Sequence, residues 1–289
     1  MKKLTILLAA ALIALLAVPA FAEVPTAKAA YGTPVVDGVM DDVWQTAEEN
    51  KIDKLKDGED GGVTATWRGL WDENAFYVYI EVKDTEHNFD GDVSWGDGAE
   101  IYFDPLDTDV NDYSTDDVAY FGFKADDVEN TSFTGTDAGI EALQNCYKLV
   151  SVVTDTGFIY EASFALKTFS GGVNMKAGTV IGFDIQINNQ SADATSRTGA
   201  YGWSDDNNTA WQDPSVFGKV SFEEPVIIEA EPAAEAAPAE PAPEAAAEPA
   251  PAAEAAPAAA APAPQTFDIF ALTLAAAALS GAVVLKKKK

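Results

Sequence analysis

The stretch from Gly202 to Phe222 carries the residues best suited to chemistry: Trp211 sits in a polar loop, after Asn207 and Asn208 and before Gln212 and Asp213. A flat aromatic face bordered by amides and carboxylates is what a sugar ring needs. Axial C–H groups pack on the ring, and equatorial hydroxyls find donors and acceptors at its edge. A core tryptophan at a strand end is the alternative, and polar neighbours on both sides argue against it. Trp95, flanked by Ser94 and Gly96-Asp97-Gly98, is a second tryptophan in a flexible polar loop. Arg197 reads as an ion-pair partner, with a donor role in such a site as the alternative. The run Asp104-Pro105-Leu106-Asp107-Thr108-Asp109 offers carboxylates for calcium, with Asp104, Asp107 and Asp109 as candidate ligands. Its spacing is not that of an EF-hand, and an acidic surface loop is the competing reading.

These residues need a scaffold of strands. Short β-branched or aromatic runs are expected as strands over Thr64–Leu70, Phe76–Lys83, Glu100–Phe103, Ala119–Lys124, Lys148–Val153, Phe158–Phe164, Val180–Asn188 and Phe217–Phe222. Turn residues separate them, among them Trp71-Asp72-Glu73-Asn74 and Asp155-Thr156-Gly157. Long amphipathic helices are absent, and at most Asp41–Glu48 forms a short one. The expected fold is all-β: an antiparallel β-sandwich, jelly-roll-like, spanning residues 23–225. Trp44, Trp67 and Trp71 lie in or beside apolar strand patterns and read as core, whereas Trp203 is open between core and site wall.

The flanks read differently. Residues 1–22 have Lys2 and Lys3, an apolar run and Ala20-Phe21-Ala22, the pattern of a secretory signal peptide. Residues 226–265 form a linker whose Ala/Pro/Glu tract, Glu229–Pro264, cannot bury a core. As a disordered, extended stalk it reaches on the order of 100 Å. Residues 266–289 form a C-terminal anchor: Ile269–Leu285 would span roughly 26 Å as a membrane helix, with Lys286 to Lys289 on the cytoplasmic side. The expected location is extracellular, at the cell surface.

Between Val24 and Glu224 there are 38 acidic against 12 basic residues, a net charge of −26. That disfavours nucleic acid or an anionic membrane surface as partner. Cys146 is the one cysteine of the chain, so no internal disulfide forms. The chain has no nucleophile elbow, P-loop, zinc pattern or dinucleotide fingerprint. Its one histidine, His87, sits in a polar loop, and pairs of carboxylates are too many here to single out a glycosidase site.

Taken in order, these segments resemble the family 9 carbohydrate-binding modules of secreted xylanases and bacterial surface proteins. The resemblance covers Ala29 to Phe222. It rests on Tyr31-Gly32-Thr33-Pro34-Val35-Val36-Asp37-Gly38, Asp41-Asp42-Val43-Trp44, Leu70-Trp71-Asp72-Glu73-Asn74, Val82-Lys83-Asp84, Trp95 before Glu100-Ile101-Tyr102-Phe103-Asp104, Val180 to Asn188, Trp203-Ser204-Asp205 and Trp211-Gln212-Asp213-Pro214-Ser215. It implies a non-catalytic β-sandwich that clamps a sugar between two tryptophans, here Trp95 and Trp211, with polar contacts from Glu100 and Asn208. It also implies bound calcium and, as ligands, small sugars or the ends of xylan and glucan chains. Two departures stand out: the spacing from Trp95 to Glu100 is one residue shorter than in the xylanase modules, and Phe121 stands where those modules use an arginine. Losing a guanidinium's donors would cost a few kcal/mol against the same ligand.

The expected partners are thus a plant-type polysaccharide or oligosaccharide. The tail Pro264-Gln265-Thr266, with Ala263 and Phe267 in place of the usual leucine and glycine, resembles a variant sortase signal. Cleavage after Thr266 would join the chain to peptidoglycan; otherwise a single membrane span anchors it. The rival readings are a haem-binding redox sandwich using His87, Met40 or Met175, a structural envelope protein without a sugar ligand, and a hydrolase.

Overall fold

The computed structural model describes residues 24–169 and 172–226. The expected signal peptide, the anchor and, but for Val226, the linker lie outside these residues. Among the described residues there are thirteen strands: β1 (Thr26–Tyr31), β2 (Asn50–Ile52), β3 (Lys54–Gly58), β4 (Thr64–Trp71), β5 (Phe76–Lys83), β6 (Gly98–Asp104), β7 (Ala119–Lys124), β8 (Thr131–Gly135), β9 (Tyr147–Thr154), β10 (Gly157–Phe164), β11 (Val180–Asn189), β12 (Gly199–Gly202) and β13 (Gly218–Phe222). One sheet runs β8-β7-β6-β11-β13-β1; β12 continues along the β13 edge of β11 and carries β3 beyond it. The other runs β1-β4-β5-β10-β9, with β2 also on β4.

The described residues are mostly β with few helices, consistent with an all-β sandwich. Aromatic rings join the two sheets across the core. Phe183 of the first sheet lies 5.3 Å, between ring centroids, from both Trp67 and Phe76 of the second. Phe103 lies 4.6 Å from Phe164, and Phe123 lies 5.1 Å from Tyr160. Each such pair adds about 1 kcal/mol to what area burial gives.

All eight expected strands are present, each within a residue or two of its expected ends. Two expectations are corrected. The sheets are not purely antiparallel, because β1 runs parallel to both neighbours. Thr26–Ala29 pairs with β13 and Ala30–Tyr31 with β4, so this strand passes from one sheet to the other. The helix content also differs. Asp42–Thr46 forms only a 3-10 turn, and an α-helix, α1 (Asp137–Cys146), was not expected. Thr136 caps α1, its Oγ1 accepting from Gly139 N at 3.1 Å. The buried stripe of α1 is just Gly139, Leu143 and Cys146, too thin a pattern to read.

Strands β1, β2, β3, β8 and β12 escape sequence reading because they are short or rich in Ala, Lys, Gly and Asp. Those residue types are poor in strands, and pairing partners override that here.

Period-2 alternation gives the first sheet two different faces. In β6, Ile101 and Phe103 face the core while Glu100, Tyr102 and Asp104 alternate with them; in β11, Phe183, Ile185 and Ile187 alternate with Asp184, Gln186 and Asn188. Register sets Glu100 beside Gln186 on one side and Gly122 on the other. A row of polar side chains therefore crosses the outer face of the first sheet, and the loops that follow β5, β11 and β12 lie over it.

Candidate functional site

A cavity of about 300 Å³ opens on this polar row, lined by Trp95, Glu100, Asn208 and Trp211 together with Ser94, Tyr120, Gln186 and Arg197. Its volume is at the small end of ligand pockets, roughly 300–1,000 Å³. The six tryptophans divide sharply. Trp95 and Trp211 are 49% and 47% exposed, whereas Trp44, Trp67, Trp71 and Trp203 are at most 5% exposed. Trp203 packs edge-on against Trp67 at 4.8 Å and is core. Two half-exposed indoles on one small cavity are the feature a packed core never produces.

Buried carboxylates fix the loop that carries Trp211. Asp205 Oδ2 accepts from Thr209 N and Ala210 N at 2.6 and 2.8 Å, and Oδ1 from Asn207 N at 2.9 Å. Lys56 Nζ, fully buried, pairs with Asp205 at 3.3 Å. Asp184 supports the preceding turn by accepting from Ser204 N and Asp205 N at 2.8 and 3.1 Å. Burial pushes the Asp184 carboxyl up, against the pull of Lys56 and three backbone N–H groups. Burial acts the same way on Asp205, but there Lys56 and the loop N–H groups win and hold the carboxyl below its usual range. Within this loop Asn208 adopts φ 55°, a left-handed conformation that Asn tolerates. The Asn208 carbonyl accepts from Trp211 Nε1 at 3.0 Å and so orients the ring.

Trp95 ends a tight turn, with Trp95 N and Gly96 N both donating to Asp92 O at 2.8 and 3.0 Å. Asp97 pins this turn to two neighbouring segments by accepting from Asn88 N and Gln190 N at 2.6 and 2.7 Å. Burial raises its carboxyl to about 7, against those two hydrogen bonds.

On the cavity floor Glu100 is buried, accepting from Tyr102 OH at Oε2 and from Asn188 Nδ2 at Oε1, the latter at 3.3 Å. Asn188 Oδ1 accepts from Gln186 Nε2 at 2.6 Å and from Arg197 at 3.2 Å. Gln186 Oε1 is buried and has no partner among the described residues, an acceptor held ready on a cavity-lining side chain. The cavity thus offers aromatic faces, the acceptors Glu100 and Gln186, the donor Arg197 and the amide of Asn208. That set suits a neutral polyhydroxylated ring. Glu100 is the one carboxylate lining it among the described residues, so the carboxylate pair of a glycosidase is not assembled here.

The structure brings the four sequence-derived residues Trp95, Glu100, Asn208 and Trp211 to one cavity. Gln186 and Tyr120 were missed; strand alternation, which sets them on the face of Glu100, is the signal that finds them. Arg197 has both of the roles weighed for it, since it lines the cavity and pairs with Asp57 at 2.7 Å. Phe121 does not stand at a site position. It is fully buried in the core, and its neighbours Tyr120 and Gly122 hold the outer face.

The three aspartates read as calcium ligands do not fit an ion as placed. Asp107 and Asp109 both pair with Lys219 Nζ, which already supplies the cation, and both have left-handed backbones at φ 54° and 53°. Asp104 Oδ2 accepts from Thr108 N and Asp109 N at 2.7 and 3.0 Å and caps the turn. Among the described residues no group of three or more His, Cys, Asp or Glu converges as a metal site.

Nor are the haem candidates brought together. Met175 is in the main core, Met40 packs by Trp44, and the His87 ring lies tilted against Phe158 at 4.9 Å. A larger depression of about 570 Å³, bordered by Glu81, Asp84 and Thr156, presents no exposed aromatic ring. No helix among the described residues is long and apolar enough to cross a membrane.

Comparison with known proteins points the same way as the cavity. Residues 36–224 match the family described as Carbohydrate family 9 binding domain-like. Over 199 residues the chain is 37% identical to endo-1,4-beta-xylanase A of Thermotoga neapolitana, covering 68% of this chain but 18% of that enzyme. The chain therefore spans less than a fifth of the length of the curated relatives it matches. Two solved structures of a family 9 carbohydrate-binding module from Caldicellulosiruptor kristjanssonii share the fold. The glucose complex has a TM-score of 0.60 at 24% identity, covering 71% of this chain and 100% of that one. The cellotriose complex has a TM-score of 0.58 at 23% identity, covering 72% and 98%.

Proposed function

The chain belongs to the carbohydrate family 9 binding domains, non-catalytic binding modules, and from that membership we propose that it grips a neutral sugar unit between Trp95 and Trp211. In this reading the indole faces stack on the C–H faces of the ring, while Glu100 and Asn208 orient its hydroxyls. Gln186 Oε1 accepts one more hydroxyl proton. The ligand is a glucose- or xylose-type oligosaccharide. That choice draws on the xylanase relative and on the glucose and cellotriose held by the structural neighbours.

The observation that carries the reading is the convergence of two half-exposed tryptophans, a buried carboxylate and a left-handed asparagine on one cavity of about 300 Å³. As part of the same proposal, residues 1–22 direct export, the Ala/Pro/Glu tract holds the domain away from the envelope, and residues 266–289 anchor it. The anchor acts through a membrane helix or through sortase transfer to peptidoglycan. The protein would then capture polysaccharide at the cell surface for separate hydrolases.

Titration calorimetry of the purified chain with glucose, cellobiose and xylobiose tests the binding. Wild type should bind at least one of them, and Trp211→Ala should weaken it by 30-fold or more with an unchanged melting temperature. Equal affinity in the variant would remove the clamp.

A further inference from the structure

Arg197, between β11 and β12, is the basic side chain lining the cavity, and it is unusually well held. One terminal nitrogen donates to Asn188 Oδ1 at 3.2 Å, and the other donates to Asp57 Oδ2 at 2.7 Å. Its guanidinium carbon lies 5.4 Å from the centroid of the Trp95 ring, within cation–π range. The side chain is 12% exposed, whereas its partner Asp57 is 47% exposed. A guanidinium has five N–H donors, and two are engaged among the described residues. The rest have no acceptor among the described residues, on a side chain that lines the same cavity as Glu100, Gln186 and both tryptophans.

We infer that Arg197, positioned by Asp57 and Asn188, is the specificity-determining donor of the cavity and gives a free guanidinium N–H to one hydroxyl of a neutral sugar. Resting on the sugar-binding reading above, this adds the residue that decides which hydroxyl is required. An arginine tethered at two points and held within cation–π range of an indole has already lost much of its rotamer freedom, so a hydrogen bond to ligand costs little more order. A fixed and largely buried polar group also rejects an analogue lacking its partner, because the group is then left unpaired. The ligand is neutral because Asp57 already balances the arginine's charge and Glu100 is a floor carboxylate. The domain's net charge of −26 further opposes an anionic sugar.

The test is calorimetry on the purified chain with glucose, its monodeoxy analogues and glucuronate, comparing wild type with Arg197→Met, Arg197→Lys and Asp57→Asn. Wild type should lose 10-fold or more on one particular deoxy sugar and bind glucuronate more weakly than glucose. Arg197→Met should weaken glucose by about 10-fold yet show no further loss on that same analogue. Arg197→Lys should recover part of the affinity, and Asp57→Asn should cost a few-fold while keeping the deoxy-sugar preference. Wild-type glucose affinity in Arg197→Met, or a loss equal across all analogues in a variant that melts as wild type, overturns the assignment of Arg197 and leaves the clamp standing. A wild type that binds no sugar overturns both.

Discussion

The residues that matter most here owe their roles to a few backbone facts. Asn208 is the clearest case: with φ 55° it occupies a conformation in which an L side chain strains, and its carbonyl orients Trp211. Asn208→Gly removes the side chain without the strain. The expected outcome is a melting temperature within a degree or two of wild type and sugar affinity lowered about 5- to 10-fold, the size of one or two lost hydrogen bonds. Unchanged affinity would take Asn208 out of the ligand's contacts. Much of this site was legible in the sequence because exposed aromatics in polar loops are an anomaly, and because ordered motifs aligned them with a known family. Phe121 was misplaced for the opposite reason. A side chain one position along a strand faces the other side of the sheet, and without register Phe121 cannot be told from Tyr120. Arg197 could not be resolved either, because its partner Asp57 lies 140 residues away.

Elements are held in this protein by buried carboxylates that accept backbone N–H groups. Glu161 ties the 37–38 turn and Trp44, Asp72 caps the turn between β4 and β5, and Asp205 builds the Trp211 loop. Several motif residues behind the family resemblance, such as Asp37-Gly38, Trp44 and Asp72, are therefore scaffold rather than site. Lys56 is the buried cation of the Asp184–Asp205 group, so Lys56→Met leaves two carboxylates uncompensated. It should cost about 3–5 kcal/mol and loosen the Trp211 loop; a melting curve like wild type's would refute that role. Asp97, under the Trp95 turn, carries the opposite pH signature. Its folded value is raised to about 7 from 3.8, so the folded state binds the extra proton between about pH 4 and 7. The stability from that proton is complete below pH 4, falls as pH rises through the window, and is gone above 7. Melting of wild type should therefore drop relative to Asp97→Asn by at most about 3 °C per pH unit across this range. Parallel slopes for the two proteins would contradict the assignment. Sequence reading found the eight strong strands but not the parallel placement of β1 or α1, since pairing partners set the first and a single cap sets much of the second.

At the scale of the whole molecule, the acidity divides into two populations. Among the described residues eight carboxylates are buried, several of them as anchors of turns, and the others face solvent or its edge and give the domain a negative surface field. With Lys219 joining Asp107 and Asp109, the turn after β6 holds its own counter-cation. Adding chelator or millimolar calcium should then shift the melting temperature by no more than about 2 °C. A fall with chelator or a rise with calcium well beyond that would show an ion in the fold. Composition reads the Ala, Pro and Glu tract as a linker because such a tract builds no core; that reading and the anchor beyond it lie outside the described residues. The sequence could not reveal that loops after three different strands close over one polar row, which takes the strand register to see. The most direct test of the central claim is a set of intermolecular NOEs between bound cellobiose and assigned indole protons in the purified chain. NOEs from the C–H groups of one glucose unit to both Trp95 and Trp211 are expected. NOEs to only one of these rings, or to residues around the Glu81–Asp84 depression instead, would contradict it.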